Sequence, residues 1–261
     1  MPAITSRQNP IVARFRTVAR GDRSDRLLLD GAHLIEDALA AGVPVLEAAT
    51  TGDAHEVSAL AERLRKRAVP VTTVTAAVMR ALSPVRSSSP IVAIAEARRA
   101  SGSRLYQGIP LVVIAVDVQD PGNVGAIIRV AEAGGATGVV CAGACADPFG
   151  WKALRGSMGS ALRLPVLLHR DSRRAIDEAR EYGCRILATV PRGGAPFFEI
   201  DLRGPSAIVV GSEGSGLSAS EVAASDQTVA IPMAAGVESL NVAVSAAVIV
   251  YEARRQRAYA M

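Results

Sequence analysis

The stretch Ile109-Pro-Leu-Val-Val-Ile-Ala-Val-Asp-Val-Gln-Asp-Pro-Gly-Asn-Val-Gly-Ala-Ile-Ile-Arg129 decides the fold class. Its first half is a continuous apolar run rather than an alternating one. A strand that is apolar on both faces is covered on both faces, which is how parallel sheets clothed in helices read. Asp120-Pro-Gly then forces a turn. Val124, Ile127, Ile128 and Ala131 follow at helical spacing and make one core stripe, with Arg129 outside it.

The same alternation continues along the chain. Leu111–Asp117, Gly138–Cys141, Leu164–Leu168, Arg185–Val190, Ala207–Val210 and Thr228–Ile231 read as strands, with helical patterns between most of them. Ser218 with Glu221 forms a capping-box pattern. A last helix starts at Leu240-Asn241, with Val244, Ala247, Val248 and Tyr251 at its period. Upstream, Leu34, Ile35, Ala38 and Leu39 mark a helix ending near Gly42, followed by a strand at Val43–Ala49. Val57, Leu60, Ala61 and Leu64 are again helical, and Val71–Val74 and Ile91–Ala95 are β-rich. The polar stretch Arg98-Arg-Ala-Ser-Gly-Ser-Arg-Leu-Tyr-Gln-Gly108 lacks apolar periodicity. The expected organisation is a small α/β domain at 1–98, a linker at 99–108, and an α/β domain with a largely parallel sheet at 109–261.

Composition sets wider bounds. A formal charge of +4 over 261 residues permits a polyanionic partner without requiring one. Aromatic residues make up 3%, which argues against base stacking as the main hold on single-stranded nucleic acid. Arg7, Arg14, Arg16 and Arg20 stand in the first twenty residues with no acidic residue among them. Arg63, Arg65, Lys66 and Arg67 form a second cluster, and Arg254, Arg255 and Arg257 a third. The preference for Arg over Lys reads first as compositional bias on solvated faces, and second as the bidentate fork that suits phosphate. Cys141, Cys145 and Cys184 are odd in number and lack metal-ligand spacing, so small apolar filler is the expected role. His33 and His55 read as solvated helix residues. The opening residues carry no signal-peptide core, and no uncharged apolar run approaches the ~18 residues that span a bilayer. A cytoplasmic location is the consistent expectation.

Three segments carry candidate chemistry. In Asp120-Pro-Gly-Asn-Val-Gly-Ala-Ile-Ile-Arg129, Asn123 reads as a helix N-cap and Gly125 as a packing glycine or a point of close ligand approach. In Val210-Gly-Ser-Glu-Gly-Ser-Gly-Leu-Ser218, three glycines follow an apolar strand. A phosphate loop is excluded, because neither Gly-Lys-Ser/Thr nor Gly-x-Gly-x-x-Gly is present and Glu213 would repel phosphate. A carboxylate in that loop suits a cationic ligand or a hydroxyl donor. In Ile231-Pro-Met-Ala-Ala-Gly-Val-Glu-Ser-Leu-Asn241, Ser239 and Asn241 precede a helix N-terminus, which offers backbone donors. Ser239 has no His or Lys neighbour, so it is not read as a covalent nucleophile.

In identity, order and spacing these segments resemble the three motifs of the SpoU (TrmH) branch of the SPOUT RNA methyltransferases. Ser6-Arg-Gln-Asn-Pro10 and Leu28-Leu-Asp-Gly-Ala-His-Leu-Ile35 resemble the small RNA-binding domain that precedes many such enzymes. Ser212 and Asp30 depart from the family's more usual Asn and Glu. The resemblance implies a SPOUT α/β trefoil-knot domain and S-adenosylmethionine as cofactor. It places the adenine against main chain at Thr189, Gly211, Ile231 and Leu240, with Met233 nearby and Ser212, Glu213 and Gly214 in the cofactor loop. It implies methyl transfer to a ribose 2′-hydroxyl of RNA, ribosomal RNA ahead of transfer RNA, with Asn123, Arg129, Glu213, Ser239 and Asn241 as catalytic candidates. Because free guanidinium stays charged, Arg129 is assigned to stabilising the forming alkoxide, with the base left open. Arg7, Arg14 and Arg16 are the RNA-binding candidates, no metal is expected, and a homodimer is implied, joined near its C-terminal helices. The alternatives are a base methyltransferase of the same fold and a non-catalytic RNA-binding factor.

Overall fold

A computed structural model describes residues 3–22, 25–52, 55–85, 89–97 and 102–258. Contacts divide the chain into two compact units, Met1–Arg98 with Phe149–Arg163, and Arg99–Pro148 with Leu164–Met261.

The first unit contains α1 (Pro10–Ala19), β1 (Arg26–Asp30), α2 (Ala32–Ala40), β2 (Val45–Thr51), α3 (His55–Lys66), β3 (Val71–Val74), α4 (Ala76–Leu82) and β4 (Ile91–Glu96). The strand order is β1-β4-β2-β3, antiparallel except for the β2–β3 pair. Asn9 starts α1 by accepting the Ile11 N–H at 3.1 Å, and Pro10 fills the first helical position, where a missing N–H is harmless. Ile11, Val12, Phe15 and Val18 then bury one face of α1 against Val74, Val78, Met79 and Leu82. Buried Asp30 is satisfied by the hydroxyls of Ser83 and Ser89, which fits the serine-rich segment after α4. His33 and His55 are exposed on α2 and α3, as expected.

The second unit holds β5 (Leu111–Val116), α5 (Pro121–Ala133) and β6 (Gly138–Ala142). Chain order then passes through α6 (Trp151–Ser157) and α7 (Ser160–Arg163), which pack with the first unit. Trp151 joins that unit's core cluster, and Arg163 pairs with Asp37 at 2.9 Å. The second unit resumes with β7 (Val166–His169), α8 (Ser172–Glu181), β8 (Arg185–Thr189), β9 (Ala195–Pro196), β10 (Ser206–Val210), α9 (Ala219–Ala223), β11 (Gln227–Ala230) and α10 (Val242–Ala258). Its sheet runs β7-β6-β5-β10-β8-β11-β9, and every pairing is parallel. All six residues of β5 and all five of β10 are buried, as continuous apolar runs require. No helix among the described residues is long and apolar enough to cross a membrane.

Three local features differ from the sequence reading. Of the polar stretch between the two parts, residues 98–101 lie outside the described ones. Leu105 and Tyr106 further along are buried in the second unit's core, and the Tyr106 ring stacks on Tyr182 at 4.2 Å. The first strand stops at Val116, because Asp117 takes a left-handed conformation (φ 55) while its carboxylate accepts the Ala144 N–H at 2.7 Å. On α10 the buried residues include Val242, Ala243, Ala246, Ile249, Val250 and Ala253. The row Val244, Ala247, Val248 and Tyr251 is the other apolar face, and Val244 and Tyr251 are 48% and 50% exposed. A helix that is apolar most of the way round gives two candidate stripes, and period alone does not choose between them.

Candidate active site

The strand order reverses direction between β5 and β10, and ligands in open parallel sheets bind beyond the carboxyl ends of the strands at such a point. β10 pairs with β5 in a register that sets Val210 opposite Ala115. The segment leading into α5 and the loop after β10 therefore leave neighbouring strands at the same level.

Asp120 caps α5 by accepting the Asn123 N–H at 2.9 Å, and Pro121 follows it. Asn123 is thus not the N-cap expected from the sequence. It is the third residue of the helix, and its side chain is left for other partners. It donates from Nδ2 to Glu213 Oε1. Its Oδ1 accepts from Asn241 Nδ2 at 3.1 Å. Asn241 caps α10 through Oδ1, which accepts the N–H of Ala243 at 2.9 Å and of Val244 at 3.3 Å. Those backbone donors fix which end of the Asn241 amide is oxygen. That choice orients the Asn123 amide in turn and aims a donor at the Glu213 carboxylate. α10 lies along α5 in the same direction, with Arg254 reaching the Ala133 carbonyl at 3.3 Å at the far end. Two helix N-termini therefore lie together beside one carboxylate.

A cavity of about 350 Å³ opens next to this chain, within the size range of small-molecule sites. It is lined from the ends of β8, β10 and β11 and from the segment before α10. The cofactor candidates Thr189, Gly211, Ser212, Glu213, Gly214, Ile231, Met233 and Leu240 all line it, as does Ser239. Asn123 and Asn241 adjoin it through Glu213. Arg129 is brought to neither group. It is exposed on α5 and makes no hydrogen bond or ion pair among the described residues. Sequence reasoning singled out neither Pro191, Ser215, Glu238 nor Ser245, which also line the cavity. Glu238 lay inside a quoted motif without a role, and its signal was its charge.

The cavity's charged lining residues are Glu213 and Glu238, both acidic. Most other groups there are apolar side chains or glycine backbone. Such a lining suits a ligand that carries positive charge and apolar surface. The loop after β10 folds back on itself, with Gly216 donating to the Ser212 carbonyl at 3.0 Å and the two serine hydroxyls of Ser212 and Ser215 2.8 Å apart. Ser212 thus takes a small hydroxyl–hydroxyl contact in place of an amide's reach. A Cβ on Gly211 would overlap the backbone of Gly216 and Leu217, which leaves no flexible side chain to give way. Gly211→Ala is expected to displace this loop and weaken cofactor binding by roughly tenfold or more, as overpacking strain of 1–3 kcal/mol implies. Isothermal titration calorimetry checks it, and unchanged affinity would refute the close-packed loop.

Among the cysteines, Cys141 and Cys184 are buried as expected. Cys145 departs from filler, since its sulfur accepts the Val118 N–H at 3.3 Å and donates to the Ala115 carbonyl at 3.2 Å, bracing the turn before α5. No group of three or more metal-ligand side chains is found among the described residues.

The first unit's candidate RNA ligands are differently placed. Arg14 is bound by both arms to Glu47, at 3.1 and 2.9 Å. Arg7 and Arg16 each use Nε on a carbonyl of α4, Ala77 at 3.3 Å and Ala81 at 3.1 Å, and both are exposed.

A parallel-sheet unit with a carboxylate-lined, glycine-walled cleft at its switch point, and an Asn–Asn–Glu chain on its rim, defines an α/β protein with a small-molecule site. Residues 110–251 match the SpoU rRNA Methylase family, and residues 1–107 match the N-terminal region of the thiostrepton-resistance methylases. The chain belongs to the SpoU rRNA methylase family. An uncharacterised tRNA/rRNA methyltransferase of Synechocystis is 35% identical over 98% of this chain and 94% of its own length. The 23S rRNA (guanosine(2553)-2′-O)-methyltransferase RlmP of Bacillus subtilis is 40% identical, over 54% of this chain and 57% of its own. The SpoU methyltransferase AviRb of Streptomyces viridochromogenes, solved with its cofactor AdoMet, superposes with a TM-score of 0.88 at 29% identity, covering 97% of this chain and 100% of that one.

Proposed function

We propose that this protein transfers a methyl group from S-adenosylmethionine to a ribose 2′-hydroxyl of ribosomal RNA. The observation that carries this reading is the hydrogen-bonded chain Asn241–Asn123–Glu213 on the rim of a cleft whose charged lining residues, among the described ones, are Glu213 and Glu238. When bound, S-adenosylmethionine would supply an electrophilic methyl group. The backbone of Thr189, Gly211, Ile231 and Leu240 would hold its adenine, with Met233 nearby. Glu213 holds the loop of Ser212 and Gly214 against Asn123. Asn123, Ser239 and Asn241 orient the ribose, so alignment rather than covalent catalysis supplies much of the rate. The paired N-termini of α5 and α10 favour negative charge developing on the attacking oxygen. Arg129 adds to that stabilisation from outside the chain of amides. With no side-chain partner among the described residues, it is available to the RNA or to a second subunit.

The knotted path implied by the resemblance belongs to this reading, with the segments 211–217 and 231–241 as its loops. The protein acts as a homodimer in the cytoplasm. Val244, Ala247, Val248 and Tyr251, the less buried apolar row of α10 in which Val244 and Tyr251 are exposed, supply the contact between copies. Arg7 and Arg16 contact RNA phosphates with the guanidinium nitrogens that α4 leaves over, and Arg14 joins them only by leaving Glu47. Binding is then salt-dependent, while RNA shape and the 2′-hydroxyl give selectivity.

The test is methyl transfer from labelled cofactor to ribosomal and transfer RNA, followed by digestion and identification of the labelled nucleoside. A 2′-O-methyl nucleoside in ribosomal RNA is expected. A base-methylated nucleoside would overturn the ribose reading, and label confined to transfer RNA would overturn the substrate. Cofactor binding without transfer to any RNA would favour a non-catalytic RNA-binding protein.

A further inference from the structure

Two carboxylates line the cleft, and their situations differ. Glu213 already accepts a hydrogen bond from Asn123. Glu238 lines the same cavity from the segment before α10, is exposed, and has no hydrogen bond or ion pair among the described residues. No Lys or Arg lines the cavity to balance it. The segment that carries Glu238 is held in place from its C-terminal side, where Asn241 is fixed both by the α10 N-terminus and by Asn123. The segment that carries Glu238 thus runs into the contacts that order Asn241 and Asn123, while the Glu238 carboxylate is committed to none of them among the described residues.

Charge bookkeeping gives that placement a consequence. The sulfonium cofactor has one more positive charge than the thioether left after transfer, and the two otherwise share their adenine, ribose and amino-acid parts. Apolar walls and main-chain contacts to adenine cannot tell them apart. The methyl group itself gives a steric difference, and a charge near sulfur adds an electrostatic one whose strength solvent screening reduces. Resting on the cofactor reading above, we propose that Glu238 is the specificity residue that makes the cleft hold the sulfonium cofactor more tightly than the thioether product. Loss of the positive charge on methyl transfer then removes an attraction and promotes exchange of product for fresh cofactor.

The test uses the full chain and titration calorimetry with two probes, S-adenosylmethionine and S-adenosylhomocysteine. Glu238→Gln keeps the shape of the side chain and removes its charge. Binding of S-adenosylmethionine should weaken by roughly five- to tenfold, the scale of one partly screened charge pair, with S-adenosylhomocysteine changed by less than about twofold. The salt dependence of S-adenosylmethionine binding should also flatten in the variant. Glu238→Asp should restore part of the difference. Equal weakening with both probes would overturn the proposal, since it would place the carboxylate at the amino-acid end that the two molecules share. No change with either probe would overturn it as well. A wild-type protein that binds neither probe would instead overturn the cofactor reading itself.

Discussion

Asn123→Ala is expected to lower kcat for RNA methylation by about a hundred- to a thousandfold, the range for removing a polar group that positions a reacting oxygen. Its amide is the middle link between Asn241 and Glu213. The α10 backbone fixes the orientation of Asn241, and Asp120 fixes the backbone of Asn123. Truncation therefore removes a donor and an acceptor whose directions were set before substrate arrives. Single-turnover methyl transfer measures the loss, with cofactor affinity determined alongside. The affinity should change far less than kcat, because Asn123 adjoins the cofactor cleft without lining it. Asn123→Asp should be no better, since it sets a carboxylate against Glu213 and gives up the donor. Asn123 lies near the surface, so the melting temperature should hold within a few degrees. A rate within about threefold of wild type in either variant would remove the amide chain from the catalytic account.

What the sequence disclosed depended on whether the physics was local. Six of the seven strands of the parallel sheet were legible, the central ones because burial on both faces leaves unbroken apolar runs, and their observed bounds lie within about two residues of the reading; the two-residue β9 (Ala195–Pro196) is too short to show a pattern. β1 (Arg26–Asp30) was not read as a strand, because Leu28, Leu29 and Asp30 stood only within a motif that runs on into α2. α6 and α7 were missed because Trp151-Lys-Ala-Leu-Arg-Gly-Ser157 is short and interrupted by Gly156. Their packing with the first unit is tertiary, and the linear division at 99–108 had no means of showing it. Of the three glycine-bearing segments identifiable one by one, those at 210–218 and 231–241 line one cavity and that at 120–129 reaches it through the Asn123–Glu213 hydrogen bond, a convergence set by the β5–β10–β8–β11 strand order that local pattern does not encode. The identity of the α5 cap turned on a single residue. Asp and Asn are both good caps, and only the fold showed that Asp120 takes that place and leaves Asn123 for Glu213 and Asn241.

Arg257→Ala is expected to destabilise the protein by about 2–4 kcal/mol, the cost of removing charge-assisted hydrogen bonds and leaving carbonyls without donors. Near the C-terminal end of α10 this guanidinium donates to the carbonyls of Leu202 at 2.8 Å, Ile109 at 3.0 Å, Pro110 at 3.0 Å and Gly204 at 2.7 Å. Burial pulls its pKa below the usual arginine value, and four carbonyl dipoles offset that cost. The carbonyls belong to the segments that enter β5 and β10, so one side chain ties α10 to the starts of both central strands. Pro110 and Gly204 keep a second donor in Ser206, at 3.0 and 2.9 Å, which limits the damage to a partial loss. Ile109 and Leu202 are left to water. Gln256 braces the same region, accepting from the Leu202 N–H at 2.8 Å and donating to the Ile200 carbonyl at 2.8 Å. The fall in melting temperature should be about 6–15 °C for a protein of this size. Arg257→Lys should recover only a fraction, because an ammonium is a compact charge and does not spread its donors over a planar fork. The site itself lies at the opposite end of α10, where Asn241 meets Asn123, so activity measured well below the melting transition should stay within a few-fold of wild type. A shift of less than about 2 °C would show that water replaces the guanidinium at little cost, and the C-terminal turn of α10 would then not be what holds β5 and β10 together.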